Sequence, residues 1–280
     1  MKKGNRQKAS SETLNQRGVD LADRGWLDEA LREFGMAIEA DANSPFPRLN
    51  RASVLLEQER KVEALEDLLA AARLAPDEPA TRYHLGVFLT RVGPELAIEQ
   101  FSKALDQDPE HIDVLIQMGV ARADRGELSE AEKYLRKAFE IDNSDPLVNR
   151  ELGMLLMELG SVHEAIGHLK IAQSYFPDDP EYMIDLGMAY IQAGFYDQAE
   201  RVMINVLQKE SSNFHAHYNL AAIYADWGKT DASCDHLAKA AEREPLRVGE
   251  WARDDRMFDK IRADHRFRKL IEKATLPDVG

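Results

Sequence analysis

Residues 146–179 read PLVNRELGMLLMELGSVHEAIGHLKIAQSYFPDD, and this stretch decides the fold. Leu152, Leu155, Leu156 and Leu159 recur at helical spacing, which predicts an amphipathic first helix. Gly160 follows as a stop signal. Ala165, Ile166, Leu169 and Ala172 mark a second helix, and Pro177 closes the stretch because proline cannot continue a helix interior. A glycine inside a helix costs about 1 kcal/mol relative to alanine. Gly153 therefore needs a compensating reason, and the close approach of two helix backbones supplies one.

Working outward, the same pattern recurs along the chain. Gly18, Ala52, Gly86, Gly119, Gly153, Gly187 and Ala221 are spaced 34, 34, 33, 34, 34 and 34 residues apart. Ala30, Ala64, Ala97, Ala131, Ala165, Ala199 and Ser233 form a second series in the same register. Ala37, Ala71, Ala104, Ala138, Ala172, Val206 and Ala240 form a third. The single one-residue deletion falls between Gly86 and Ala97, in the turn around Gly93 and Pro94. Each period is one helical hairpin that cannot bury its apolar face alone, so neighbours must stack.

The stretches Leu85-Gly86-x2-Leu89, Ala97-x3-Phe101, Ala104 and Pro109 resemble the tetratricopeptide repeat, as do Leu186-Gly187-x2-Tyr190 with Ala199-x3-Met203 and Gly18-x2-Leu21 with Ala30-x3-Phe34 and Ala37. The position that is Trp in the pattern is Leu14, Arg48, Arg82, Leu115, Asn149, Met183 and His217 here. The resemblance implies an all-α fold, a right-handed superhelix of hairpins. It implies seven repeats at 11–44, 45–78, 79–111, 112–145, 146–179, 180–213 and 214–247. Residues 248–274 resemble the tail that follows bacterial arrays of this kind: Trp251, Phe258, Ile261, Phe267, Leu270 and Ile271 suggest two short helices broken near Asp264. Such a tail is expected to cap the last repeat; the alternative is a docking element in its own right. Residues 1–10 and 275–280 are expected to be frayed ends.

Composition narrows the function. The chain carries 36 basic and 50 acidic residues among 280, a net charge of −14, so it repels phosphate backbones and no nucleic acid is expected as a partner. Between Arg243 and Lys273 the balance reverses, with ten basic and seven acidic residues. The lone cysteine, Cys234, forms no internal disulfide. No apolar run reaches the ~18 residues of a membrane helix, and no apolar segment follows the basic residues near Met1, so a cytoplasmic location without membrane insertion is expected.

Catalytic and cofactor motifs are missing from the sequence. It has no glycine-rich phosphate loop, no G-x-S-x-G, no H-E-x-x-H and no calcium-loop spacing. His215 and His217 stand two apart on a predicted helix and point to different sides, so one groove-facing and one packed histidine are expected rather than a metal pair. His163 and His168, expected to flank a turn, are read the same way. No enzyme, metal or cofactor is expected.

In the family this sequence resembles, the first helix of each repeat lines a concave face. Carried over by position, the first three repeats contribute Asn15, Val19, Phe46, Leu49, Tyr83, Val87 and Arg91. The fourth gives Ile116 and Val120, and the fifth Leu147, Arg150, Met154, Met157 and Glu158. The last two give Glu181, Ile184, Met188, Ile191, His215 and Tyr218. The expected partner groove is Tyr83, Val87, Ile116, Val120, Leu147, Arg150, Met154, Met157, Ile184, Met188, Ile191 and Tyr218, whose middle is an apolar, methionine-rich strip suited to a peptide or amphipathic helix of another protein. The competing reading is that these residues pack against neighbouring helices or the tail. The cationic clamp by which chaperone-binding members hold a terminal carboxylate is not matched, because Ala80 and His84 stand where cations would be needed. An adaptor or scaffold that supports complex assembly is the expected function. A self-assembling homo-oligomer, or a chaperone for an exported or aggregation-prone client, is the alternative.

Overall fold

The computed structural model of the protein describes residues 9–90 and 93–275, and every regular element among them is helical. The chain divides into two compact bodies, Met1–Ile141 and Asp142–Gly280. The N-terminal body holds α1 (Ser11–Ala22), α2 (Leu27–Ala40), α3 (Phe46–Glu57), α4 (Lys61–Leu74), α5 (Pro79–Leu89), α6 (Pro94–Gln107), α7 (Ile112–Ala123) and α8 (Leu128–Ile141). The C-terminal body holds α9 (Pro146–Glu158), α10 (Val162–Tyr175), α11 (Pro180–Gln192), α12 (Tyr196–Lys209), α13 (Phe214–Asp226) and α14 (Thr230–Arg243). It continues with α15 (Pro245–Asp254), a 3-10 turn (Arg256–Phe258) and α16 (His265–Thr275). Two helices thus fall inside each of the seven spans read from the 34-residue period.

The three small-residue series are explained by how the two helices of a pair meet. A Cβ on Gly18 would lie 2.4 Å from Cε1 of Phe34, and one on Gly86 at the same distance from Cε1 of Phe101. On Gly119 and Gly153 it would meet Leu135 Cγ and Leu169 Cγ at 2.6 and 2.7 Å, and on Gly187 it would meet Met203 Cε at 2.4 Å. A large residue of the second helix fills the notch left by glycine in the first, which offsets glycine's intrinsic helix penalty by close packing. Ala30, Ala64, Ala97, Ala131, Ala165 and Ala199 are fully buried, as are Ala37, Ala71, Ala104, Ala138 and Ala172.

Helix ends follow local chemistry. Asp145 caps α9 by accepting from the N–H groups of Leu147 and Val148 at 2.8 and 2.9 Å, and Pro146 sits at the first helical position, where no N–H is needed. Gly160 turns the chain between α9 and α10 at φ +79°, a left-handed conformation that glycine adopts without a Cβ penalty. Ser10, read from sequence as part of the frayed end, is instead the N-cap of α1 and accepts from Thr13 N at 3.2 Å.

Beyond the seventh pair, Val248, Ala252, Phe258, Ile261 and Phe267 join Phe214, Tyr218, Cys234 and Leu237 in one core. Arg266 bridges Asp231 and Asp235 of α14 at 2.6 and 2.7 Å, and Lys260 pairs with Asp226 at 3.0 Å. The tail's excess cations therefore meet carboxylates of the α13–α14 pair. The interruption between α15 and α16 runs from Asp255 to Asp264 and contains the 3-10 turn, and α16 starts at His265. The first tail helix, however, starts at Pro245, three residues before the expected boundary, because proline at its first helical position sets the start.

Candidate functional site

Each body presents its own row of first helices. In the N-terminal body, Tyr83 is half-buried, stacks on His111 at 6.0 Å and packs with Val87 against the Phe101 core. Val120 is half-buried. Ile116 is 1% exposed and so has no surface to give a partner; packing between helices claims its side chain. Asn50 donates to Asn15 Oδ1 at 2.9 Å, which ties α3 to α1 through their first-helix faces. Leu49 is buried and Phe46 exposed. Arg91 lies outside the described residues.

In the C-terminal body, Leu147 is 37% exposed, and Met154, Met188 and Ile191 are half-buried. Met157 and Ile184 are buried, as is Tyr218, which donates to Asp255 at 3.2 Å. Burial first, and the Asp255 charge second, hold the Tyr218 phenol far above its ordinary value, so it remains a donor. Four of the expected apolar residues here thus keep surface, and three serve mainly as packing. Glu158, Glu181 and His215 are exposed around them.

By its position in the repeat Arg150 is a cation of this face. Its Nε donates to Asp185 Oδ2 at 2.6 Å, its Nη2 reaches Glu181 at 3.4 Å, and its guanidinium lies 5.0 Å from the Tyr182 ring centre. Burial pushes the Asp185 carboxyl up, with Arg150 acting against that shift. Neutralised in this way, Arg150 offers no free charge to an acidic ligand. Asp185 escaped the sequence reading. Its signal is the 35-residue offset from Arg150, one period plus one, which the Asn15–Asn50 and Met157–Gln192 contacts also show.

His168 and His217 are packed and hydrogen-bonded within the protein. His163 and His168 both lie on α10 rather than flanking a turn. His168 Nδ1 lies 2.9 Å from Asn149 Oδ1, and Asn149 Nδ2 donates to the carbonyls of Asn143 and Asp145 at 2.9 and 2.8 Å. His217 is packed and His215 exposed. His217 Nε2 faces the Ser211 carbonyl at 3.0 Å and must donate to it, so Nδ1 accepts from His236 Nδ1 at 2.9 Å. Among the described residues no group of three or more His, Cys, Asp or Glu could hold a metal ion, and no helix is long and apolar enough to cross a membrane.

Family profiles described as tetratricopeptide repeat match residues 15–79, 94–155, 150–194 and 184–246. Human DnaJ homolog subfamily C member 3 is 25% identical over 196 residues, 64% of this chain and 39% of that protein. Cellulose synthase operon protein C of Xanthomonas axonopodis pv. citri is 28% identical over 196 residues, 65% of this chain and 13% of that protein. The chain thus spans less than half the length of these curated relatives. Among solved structures, the anaphase-promoting complex hetero-tetramer Cut9–Hcn1 superposes with a TM-score of 0.73 at 15% identity, over 95% of this chain and 49% of that one.

Proposed function

We propose that this chain, which belongs to the tetratricopeptide repeat family, is a non-catalytic adaptor that holds a segment of a partner protein on the first-helix face of its C-terminal body. The observation that carries this is the row of partly exposed apolar side chains on consecutive first helices: Leu147 and Met154 on α9, Met188 and Ile191 on α11. Apolar residues left open side by side mark interaction surfaces, and methionine adapts to varied apolar partners. Small residues lock each helix pair, so the surface is organised before binding and little entropy is lost on association. Arg150 is neutralised within the protein and Glu158 and Glu181 are exposed, which favours a segment with apolar anchors and no excess of acid. Assembly of a larger complex through such a held segment is part of this reading.

The test is affinity capture of the tagged chain from its source cell with light crosslinking, beside the Met154→Glu/Met188→Glu variant. One or two proteins held by the wild type and lost from the variant, with helical circular dichroism unchanged, support the adaptor. Because Met188 also leans on the Met203 core, Leu147→Glu serves as a second variant at an exposed position. Capture that survives all of these changes overturns the reading. Self-crosslinks alone, untouched by them, would assign the protein to self-assembly.

A further inference from the structure

In the C-terminal body an open cleft of about 500 Å³ is lined by Tyr218, Glu250, Trp251, Asp254 and Asp255. One side is aromatic. Trp251 is 41% exposed, and its ring stands edge-on to Tyr218 at 5.4 Å and 5.6 Å from Phe214. The rest is anionic. Asp255 is already engaged, accepting from Tyr218 Oη at 3.2 Å and Met257 N at 2.9 Å. Glu250 and Asp254 are exposed and form no ion pair with any described residue.

The surrounding tail is basic, and three of its cations are committed elsewhere: Lys260 to Asp226, Arg262 to Asp259, Arg266 to Asp231 and Asp235. Arg247 reaches the rings, with its guanidinium 5.4 Å from the Trp251 centre and 5.7 Å from Phe214, but it is not among the residues that line the cleft. It shows that this aromatic cluster accommodates a guanidinium, while Glu250 and Asp254 stay without one.

We propose that the cleft receives a lysine or arginine side chain of the bound partner segment, its cation lying against Trp251 and its charge met by Glu250 and Asp254. Cation–π attraction and charge-assisted hydrogen bonds reinforce each other in such a site. The proposal rests on the adaptor reading, because Tyr218 and the packing of α13 beside α11 join the cleft to the same first-helix row. It adds a chemical specification: apolar anchors for α9 and α11, and a basic residue toward α15. Opposite charge in this place selects among partners and sets the register of the segment.

The experiment uses the full chain carrying Trp26→Phe and Trp227→Phe, which leaves Trp251 as the sole indole. Octalysine is titrated against a glycine–serine octapeptide, with Trp251 emission and calorimetry as readouts. Octalysine should bind and shift the emission, and Glu250→Gln/Asp254→Asn should weaken it about tenfold. Asp106→Asn/Glu140→Gln removes the same charge from exposed positions of the N-terminal body and should weaken it less than about twofold, the residue of long-range attraction. Equal weakening by both pairs, or binding that leaves Trp251 emission unmoved, overturns the proposal in favour of diffuse attraction to an acidic protein. Capture of the natural partner separates this proposal from the one it rests on. Capture lost on Met154→Glu/Met188→Glu but untouched by Glu250→Gln/Asp254→Asn overturns the cleft and leaves the groove standing. Capture untouched by the methionine changes, with octalysine binding still dependent on Glu250 and Asp254, overturns the groove and leaves the cleft.

Discussion

The α9–α10 and α11–α12 pairs share one architecture and solve the same packing position with opposite chemistry. In α11–α12, Met183 and Val202 belong to a single apolar cluster. In α9–α10, the residues in the same register are Asn149 and His168, buried and hydrogen-bonded to each other, with both Asn149 N–H groups given to turn carbonyls. The α13–α14 pair repeats the polar solution with His217 and His236, and α5–α6 does so with Arg82 and Gln100, joined at 3.0 Å. The two members are 19 residues apart in the first two polar pairs and 18 in the last, which spans the one-residue deletion. In these four pairs the position that is tryptophan in the family pattern and its partner on the second helix are matched in chemistry, polar with polar and apolar with apolar. Buried polar groups persist when both partners are present and cost most when only one is removed.

The largest expected effect breaks the polar pair from one side. Asn149→Met should destabilise the C-terminal body by about 3 kcal/mol, because it strands His168 and two turn carbonyls. Asn149→Met with His168→Val copies the α11–α12 solution and should recover more than half of that loss, the coupling expected of residues in one network. Urea unfolding followed by circular dichroism reads both variants; a double variant no better than the single would show that the two positions do not act as a unit.

A second effect comes from pH. Burial, then the neighbouring His217, push His236 down to about 4, and burial lowers His217 as well. Both imidazoles fold neutral, so the unfolded chain binds more protons between their ordinary value of 6.5 and about 4. Stability is fully present above pH 6.5 and falls as pH drops through this window. His217→Met with His236→Val should flatten that slope in thermal melts from pH 7 to 4. A slope unchanged in the variant would assign the acid sensitivity to other groups.

The smallest effect reverses sign. Arg48 occupies the same register on α3, but Asp67, 19 residues on, is taken by Arg51 in a two-fold contact at 2.6 and 2.7 Å. Arg48 Nη1 is left buried without a hydrogen-bond partner. Arg48→Met should raise the stability of the N-terminal body by about 1 kcal/mol, since an apolar group there removes a desolvated donor. A loss instead would mean that the Arg48 stem contributes more by packing than its head costs.

What the sequence by itself determined is the periodic part. The 34-residue recurrence of small residues located the helix pairs, because glycine opposite a large residue is a local volume rule repeated in register. It also located the turns, where Gly160 and Pro146 act through their own backbones. The candidate surface was legible only in outline. Periodicity placed Leu147, Met154, Met188 and Ile191 on the first helices, but it could not separate them from Ile116 or Met157, since every one of these sits at a lining position and only neighbouring helices decide which stays open. Tertiary structure also decided where charge is available. Arg150 reads as a free cation until Asp185 from the next first helix meets it, and Glu250 and Asp254 read as two acids in a basic tail until Lys260, Arg262 and Arg266 are seen committed elsewhere. Local sequence sets helices and notches because those interactions span a few residues; exposure and net charge at a surface are set by residues one full period away, brought together only when the hairpins stack.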